Sequence, residues 1–348
     1  MIRYSKPLGQ LLDFKQEFFD ANDAKLESFE RIAGVYQKQP RRASCKNCAA
    51  AHVPSPDATF VKLDTDYWFC GTCGHCNGAH EDTVEFCLSM YTDDDGKAYS
   101  KTYVEAGRKN FEHRTKEIYV PKAKFLKESL EERGAYPATI ADFGAGAGYF
   151  ISAAKQCGFD QITGYEPSKT LAEFGNAMLG GDVIRHHDLA DTTSLIQNAK
   201  ATVASFVGVL EHLQDLRGAY QALRDNEHIR YVLFSVPMFC PSVVLETVFP
   251  EIMPRHLAAG HTHLYTEQSI QHICDEFGFK RVSEWWFGLD MTDLFRSVLV
   301  SLGKSSAPTA PLRSYWQQKF GPLLDSLQGK IDEARMSSEV HMLIEKVN

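Results

Sequence analysis

Four cysteines in two closely spaced pairs are the first residues of the chain whose spacing predicts chemistry. Cys45 and Cys48 form one C-x2-C pair, Cys70 and Cys73 form a second, and twenty-one residues separate the two pairs. Four thiolates arranged in this way suit a tetrahedral structural zinc site. A redox dithiol would need only one of the pairs. The sequence therefore predicts a zinc-binding module in which Zn²⁺ has a structural role.

The other cysteines leave this ligand set unchanged. Cys76 follows Cys73 by three residues, with His75 and His80 nearby, and it could replace one ligand. Because four cysteines already complete a tetrahedron, we expect Cys76 to be a spectator. Four further cysteines lie in apolar surroundings and are predicted to be buried thiols: Cys87, Cys157, Cys240 and Cys274.

A second group of residues that could bind a ligand lies at 140–149, where a short apolar run leads into three glycines. Those glycines occupy alternate positions: Gly144, Gly146 and Gly148. They let the backbone turn tightly and approach a ligand. A dinucleotide-binding G-x-G-x-x-G would require its third glycine at Tyr149, and no Gly-Lys-Ser/Thr follows as in a P-loop. Asp142 would repel a pyrophosphate, but it suits a ligand that carries an ammonium and a sulfonium.

This loop resembles motif I of the class I S-adenosylmethionine-dependent methyltransferases, and the resemblance runs from about residue 120 to the C-terminus. The resemblance implies an enzyme that uses S-adenosylmethionine as its methyl donor. It also implies an α/β fold with a Rossmann-like sheet of seven strands in the order 3-2-1-4-5-7-6, the last strand being antiparallel.

The resemblance further implies which residues bind the donor. Glu166, at the end of the second predicted strand, matches the acid that accepts both ribose hydroxyls. Asp188 is similar to the family's contact to the adenine amino group, with a solvated loop acid as the alternative. The complete set implied for the donor is Asp142, Gly144, Ala145, Gly146, Gly148, Tyr149, Glu166, Pro167, Asp188, Leu189 and Gly208.

Histidines follow the fourth predicted strand and a later loop. The segment 207–213 is similar to the xVLEHL segment of small-molecule methyltransferases, and 261–266 is similar to the family's H-L-x-x-F-T stretch. Ligands of open parallel sheets bind beyond the carboxyl ends of the strands. We therefore expect the catalytic base, which an alcohol acceptor would require, among four residues that the sequence does not rank: His212, His261, His263 and Tyr265. We expect no metal here, because two imidazoles seldom make a site without a third ligand.

Alternating short apolar runs and amphipathic helices predict the framework that positions these residues. Parallel strands with right-handed crossovers are expected at 139–143, 161–166, 182–186, 201–208 and 229–236. Helices are expected at 147–157, 168–178, 214–225 and 266–277. The last two strands are expected at 280–287 and 339–347, with the final strand pairing beside the strand at 280–287.

The same pattern divides the chain into four parts. We expect N-terminal helices over 1–40, the zinc-binding module over 41–92, a helical linker or lid over 93–134, and the methyltransferase domain over 135–348. A stretch of about fifty residues inside a compact domain is expected to form secondary structure. We therefore predict a helical insertion at 288–337 that covers the acceptor pocket or makes a homodimer contact.

Composition narrows the classes of partner. The net charge of −8 argues against general nucleic-acid binding. The N-terminus has no apolar signal region and no run of about 18 apolar residues occurs, so we expect a cytoplasmic protein without a membrane span.

The nature of the acceptor rests on a further resemblance. A cysteine module ahead of this core resembles bacterial methyltransferases of sugar and surface-polysaccharide modification, although the cysteine spacing differs. A small polar acceptor, either a sugar or a sugar nucleotide, is thus expected. Alternatives are a lipid-like or natural-product acceptor, and a zinc-ribbon binding protein with a vestigial methyltransferase domain.

Overall fold

The computed structural model describes residues 1–6, 21–91, 107–257 and 261–347. Parts of two predicted helical stretches, 8–20 and 93–106, lie outside the described residues. The described chain forms one large, mostly parallel sheet flanked by helices and one small antiparallel sheet, which confirms the predicted α/β class.

Twelve strands occur in the described chain. The first four are β1 (Ile2–Tyr4), β2 (Thr59–Lys62), β3 (Thr65–Phe69) and β4 (Cys76–Gly78). The next five are β5 (Ile140–Phe143), β6 (Ile162–Glu166), β7 (Ile184–His186), β8 (Val203–Val207) and β9 (Tyr231–Pro237). The last three are β10 (His263–Leu264), β11 (Phe279–Phe287) and β12 (Glu339–Lys346).

The helices are numbered over the same residues. The first four are α1 (Asn22–Tyr36), α2 (Val84–Tyr91), α3 (Gly107–Arg114) and α4 (Val120–Glu131), and one π-helical segment, Thr115–Tyr119, joins α3 to α4. The next six are α5 (Tyr149–Gln156), α6 (Lys169–Leu179), α7 (Thr192–Asn198), α8 (Leu216–Asp225), α9 (Pro241–Val248) and α10 (Glu267–Phe277). The last three are α11 (Asp290–Lys304), α12 (Ala310–Phe320) and α13 (Leu324–Glu333). Short 3-10 turns lie at Pro56–Ala58, Leu189–Asp191, Leu210–His212 and Gly321–Leu323.

The large sheet has the order β1-β11-β12-β9-β8-β5-β6-β7. Strands β5 to β9 are parallel, and β12 lies antiparallel between β9 and β11. The predicted order 3-2-1-4-5-7-6 is therefore confirmed, including the pairing of the last strand beside β11. An eighth strand, β1, adds in parallel to the outer edge of β11. The sequence analysis assigned residues 1–40 to helices and missed this strand, because three residues are too few to show alternation.

Two apolar cores cover the faces of this sheet. On one face, α8 and α10 pack Tyr220 and Phe277 against the sheet, and on the other, α4 and α5 pack Phe125 and Ile151. Strand β9 is buried along its whole length, as its continuous apolar sequence requires when both faces of a strand are covered. The two cores fix the carboxyl ends of β5, β6 and β8 at one edge of the molecule.

The small sheet joins the cysteine module to the catalytic half of the chain. Its order is β10-β4-β3-β2, so its fourth strand comes from residues 263–264, far along the chain. Asn77 of β4 pairs with His263, and Gly78 donates its backbone N–H to Thr262 O at 2.8 Å. The cysteine module is therefore anchored to the loop that leads out of α9.

Helices α11 to α13 fill the interval between β11 and β12. Helix α11 packs against α9 and α13, whereas α12 is almost entirely exposed, with Leu312 and Tyr315 on its surface. A dimer contact or a pocket cover made by this insertion stays a prediction. Among the described residues, no helix combines the length and the apolar character needed to cross a membrane.

Candidate active site

A cavity of about 370 Å³ lies beyond the carboxyl ends of β5, β6 and β8. Its first wall is formed by the glycine loop, the end of β6 and the segment after β7. The remaining wall, called the second wall below, is formed by the turn after β8, by His261 and by the helical segment around Tyr119. This is the place where an open parallel sheet binds its ligands.

The glycine loop needs its glycines for two different reasons. Gly144 has a φ of 67°, and a Cβ there would lie 2.5 Å from Val209 Cγ2. Gly146 has a φ of 53°, but a Cβ there would meet nothing within 4 Å, because it would project into open space. Gly144 thus permits close packing of the loop on the turn after β8, and Gly146 keeps the backbone accessible to a ligand.

Glu166 holds the loop in place from the end of β6. Its Oε2 accepts a hydrogen bond from Gly146 N at 2.7 Å, and its Oε1 accepts one from Ser168 N at 2.8 Å. The side chain is 6% exposed, and burial raises the pKa of its carboxyl to about 7, against the opposing effect of the two hydrogen bonds. Each oxygen retains a lone pair, so the carboxylate can still accept hydrogen bonds from a ligand in the cavity.

Asp142 lies beside it at the end of β5. Its Oδ1 accepts a hydrogen bond from Ser205 Oγ at 2.6 Å. Burial, with a smaller contribution from the nearby Glu166 carboxyl, raises the pKa of this carboxyl to about 7. Two buried acids at one end of the cavity favour a ligand that brings hydroxyl donors or positive charge.

Most of the residues predicted for the donor line this cavity. Besides the two acids, those that line it are Gly144, Ala145, Gly146, Tyr149, Pro167, Leu189 and Gly208. Gly148 and Asp188 are not among the lining residues of the described chain. Gly148 instead caps α5 in the left-handed conformation, and Asp188 is exposed at the start of a 3-10 turn while its neighbours His187 and Leu189 face the cavity.

The second wall brings together Glu211, His212 and His261. Glu211 is 4% exposed, and burial raises the pKa of its carboxyl to about 8. The rings of His212 and His261 lie with their centroids 5.2 Å apart. Removal from water, together with the nearby His256, lowers the pKa of His261 to about 4, so its imidazole is neutral at physiological pH.

The other two residues expected as base candidates do not reach this wall. His263 and Tyr265 are both fully buried, and neither is among the residues that line the cavity in the described chain. His263 lies in β10 and its Nδ1 is 2.9 Å from His75 Nε2, so its side chain packs between the cysteine module and the large sheet. His263 pairs with β4 and Tyr265 forms a bridge with Met238, so both side chains lie away from the lining of this cavity, which differs from the expectation that they frame the acceptor pocket.

Two lining residues come from the predicted lid. Tyr119 lines the cavity and stacks on Tyr149 with ring centroids 5.3 Å apart. Lys122, which the sequence analysis missed, also lines the cavity, and its Nζ lies 3.3 Å from Glu339 Oε1. Tyr119 is the last residue of the π-helical segment Thr115–Tyr119, and such segments often mark functional sites. The sequence did not predict this segment, so it could not point to Tyr119 as a lining residue.

The four predicted metal ligands form one cluster. The four Sγ atoms all lie within 4.8 Å of one another and belong to Cys45, Cys48, Cys70 and Cys73. The sulfurs of Cys45 and Cys73 are 3.6 Å apart, as are those of Cys48 and Cys70. Zinc–sulfur bonds of about 2.3 Å would separate the sulfurs of a tetrahedron by about 3.8 Å. The observed sulfurs therefore fit a zinc ion, and Cys76 does not belong to the cluster.

The two C-x2-C turns have the same backbone geometry. Ala49 N donates to Cys45 O and Gly74 N donates to Cys70 O, each at 2.8 Å, and both residues have a positive φ. The Asn77 side chain donates to Cys45 Sγ at 3.4 Å, and that of Asn47 to Cys73 Sγ at 3.6 Å. Amide donors of this kind stabilise thiolates that bind a metal.

Comparison with known proteins identifies the class. Residues 111–284, half of the chain, match the protein family described as "Methyltransferase domain". The chain belongs to this family, and it is a methyltransferase of the S-adenosylmethionine-dependent class. No curated protein matches it significantly.

Solved structures with a similar arrangement span several methyltransferases. Magnesium protoporphyrin IX methyltransferase from Synechocystis PCC 6803, with bound SAH, is 13% identical over 76% of this chain and 100% of that chain, with a TM-score of 0.46. The plantazolicin methyltransferase in complex with SAH is 11% identical over 75% and 94%, with a TM-score of 0.44. A putative sarcosine dimethylglycine methyltransferase from Galdieria sulphuraria is 12% identical over 65% and 85%, with a TM-score of 0.41. Similarity at this level does not indicate which acceptor this chain methylates.

Proposed function

We propose that this enzyme transfers the methyl group of S-adenosylmethionine to a hydroxyl-bearing polar acceptor, of which a sugar or a sugar nucleotide is the best candidate. The single observation that carries the donor half of the proposal is Glu166. It ends β6, binds the backbone of the glycine loop and presents both carboxylate oxygens at a cavity large enough for a ligand. Ribose hydroxyls of the donor supply the hydrogen bonds that such a buried acid lacks.

The other donor contacts follow from this placement. The backbone at Gly146 is open to the cavity, and Asp142 supplies negative charge toward the amino-acid end of the donor. Leu189 and Gly208 would enclose the adenosine, whereas Asp188 would reach the adenine amino group only by a change in its exposed turn. S-adenosylmethionine supplies an activated methyl group, so the residues of the chain have to bind, align and exclude water.

The polarity of the second wall supports a hydroxylated acceptor over a lipid-like one. Lys122, Glu211, His212 and His261 all line it, and desolvated polar groups of this kind require hydrogen-bonding partners in the ligand. Tyr119 adds an aromatic surface beside them. Of the four base candidates named from the sequence, His212 and His261 are the two that can contact such an acceptor.

We further propose that Cys45, Cys48, Cys70 and Cys73 bind one structural Zn²⁺. The ion would fix the two C-x2-C turns and, through β4, the loop that carries His261. It has no part in the chemistry of methyl transfer, because the cysteine cluster and the cavity share no lining residue in the described chain.

Two measurements, made one after the other, test the proposal. Titration calorimetry with S-adenosylhomocysteine tests the donor site, and the absence of binding would refute it and favour a vestigial domain. A mass-spectrometric screen then compares sugars and sugar nucleotides with lipid-like alcohols for the gain of one CH₂ unit. Methylation of lipid-like acceptors alone would contradict the proposed acceptor class while leaving the donor site intact.

A further inference from the structure

Three side chains on the second wall of the cavity lie close together. Glu211, His212 and His261 each offer one ligand atom, and these three atoms all lie within 4.8 Å of one another. The three residues come from two places in the chain, the 3-10 turn after β8 and the loop before β10. All three line the cavity and belong to its second wall.

One carboxyl oxygen of Glu211 is buried without a hydrogen-bond donor in the described part of the chain. The side chain is only 4% exposed, and its Oε2 accepts no hydrogen bond from the described residues. A buried acceptor left without a partner costs about 1–3 kcal/mol. Because Glu211 lines the cavity, a ligand there that carries positive charge would satisfy this oxygen.

The ring of His261 is oriented by its second nitrogen. Its Nδ1 lies 2.9 Å from the backbone carbonyl of His256, and since a carbonyl can only accept, Nδ1 carries the proton. The lone pair of the neutral ring is therefore on Nε2. A histidine that binds a metal through one nitrogen commonly donates from the other to a backbone carbonyl, so this contact is the one that a metal ligand requires.

We propose that Glu211, His212 and His261 bind a divalent transition-metal cation, whose open coordination positions take the acceptor hydroxyl. Two imidazoles and one carboxylate favour an ion such as Mn²⁺, Fe²⁺, Co²⁺ or Zn²⁺ over Mg²⁺ or Ca²⁺, which prefer oxygen ligands. Three protein ligands leave positions open for solvent or substrate. The sequence analysis expected no metal in this domain because a third ligand was not recognised, and Glu211 supplies it.

This inference rests on the proposed function and defines the acceptor more closely. A cation-bound hydroxyl has a lowered pKa, so it loses its proton to solvent at neutral pH. The resulting oxygen forms a bond to the methyl carbon as the sulfur–methyl bond breaks, and the electron pair of that bond stays on sulfur. The products are a methyl ether and S-adenosylhomocysteine, and the two histidines act as ligands rather than as bases.

The test uses the full-length protein with its cysteine cluster loaded with zinc. Co²⁺ is titrated in, with the visible absorption bands of the ion as the signal, and Mn²⁺ binding is measured in parallel by electron paramagnetic resonance. The variants are Glu211→Gln and His261→Ala. The matched control is His187→Ala, because His187 lines the first wall of the same cavity. Zinc content, thermal unfolding and S-adenosylhomocysteine binding are measured on every sample.

We expect one Co²⁺ per chain in addition to zinc, with binding at least tenfold weaker in Glu211→Gln and His261→Ala and unchanged in His187→Ala. A wild-type protein that binds S-adenosylhomocysteine but no second cation would overturn this inference and leave the proposed function standing. Equal Co²⁺ affinity in all three variants would also overturn it. Loss of S-adenosylhomocysteine binding in the wild type would instead count against the proposed function. A folded Glu211→Gln protein rules out misfolding as the cause of lost binding.

Discussion

Replacing Glu166 by glutamine removes a charge from the donor site while keeping the size of the side chain. In the wild type, one carboxylate oxygen accepts from Gly146 N and the other from Ser168 N. Glutamine retains one acceptor oxygen, so one backbone contact survives. The amide NH₂ then faces the second backbone N–H, and it cannot accept a hydrogen bond from that group or from a ribose hydroxyl.

The expected loss of affinity follows from these contacts. A hydrogen bond to a charged group contributes about 1.5–3 kcal/mol, and the variant loses at least one such bond to the donor. Since 1.4 kcal/mol corresponds to a factor of ten, S-adenosylhomocysteine should bind about 10- to 150-fold more weakly. Glu173→Gln is the matched control, because Glu173 is an exposed acid on the following helix α6 and the change of charge is the same.

The pH dependence gives a second readout. Burial raises the pKa of the Glu166 carboxyl to about 7, and ribose hydroxyls donate best to its ionised form. Affinity in the wild type should therefore decrease as the pH falls through 7 and should become constant only well above pH 7, where the carboxyl is fully ionised. Asp142 has a pKa raised to about 7 for the same reason, so part of this slope will remain in Glu166→Gln. Glu166→Gln should lose the part of the pH dependence that comes from the titration of one carboxyl group.

Titration calorimetry between pH 5.5 and about pH 8.5, a range that brackets the ionisation of a carboxyl with a raised pKa, measures both effects. An unchanged affinity in Glu166→Gln would remove this residue from the donor site. An affinity that fell equally in Glu173→Gln would show a general effect of charge. A wild-type affinity that rose as the pH fell below 7 would refute the assigned ionisation of Glu166.

Three further perturbations should give distinct results. Gly146→Val should abolish S-adenosylhomocysteine binding in calorimetry while the protein stays folded by circular dichroism, because the new side chain projects into the cavity. Purified protein should contain one zinc per chain in the cysteine cluster by elemental analysis, and Cys73→Ser should lower that content and reduce turnover more than donor binding, since β4 supports the loop of His261. Gly78→Ala should lower the free energy of unfolding by about 1–3 kcal/mol in urea denaturation, because its Cβ would lie 2.6 Å from Thr262 O.

For each of these three variants or preparations, one result would contradict the prediction. Tight donor binding by a folded Gly146→Val protein would show that the ligand does not approach the loop. A zinc-free preparation with full stability and turnover would make the cysteine cluster dispensable. For the packing variant, Gly71→Ala serves as the control, because a Cβ at Gly71 would meet nothing within 4 Å. Equal stability of the two alanine variants would contradict the close contact at Gly78.

The sequence predicted those parts of the fold whose signal is local. Strands β8 and β9 have nearly continuous apolar runs, and the glycine loop has its own spacing, so these parts were predicted close to their observed bounds. The pairing of β4 with β10 joins segments far apart in the chain, and nothing in either segment indicates the other. For that reason the sequence could not show that His263 would be turned away from the cavity while His261 would line it.

Glu211 illustrates a second limit. Its identity was visible beside His212, but its importance depends on an oxygen that is buried without a partner, which is a property of the packed structure. Lys122 was missed for a similar reason, since a lysine in a charged helix is usually solvated. Chemical type can be read from a sequence, whereas the direction in which a side chain points depends on packing between distant elements.

The sharing of one small sheet by both halves of the chain has a consequence for the order of folding during synthesis. The cysteine turns, β2, β3 and β4 are made early, but β10 emerges only after all five parallel strands β5 to β9. Until then β4 has an unpaired edge, and such edges pair readily with other chains. Closing this contact across so many residues is entropically costly, which makes it a slow step. The newly made cysteine module should therefore be most prone to aggregation in the interval between the synthesis of β4 and that of β10.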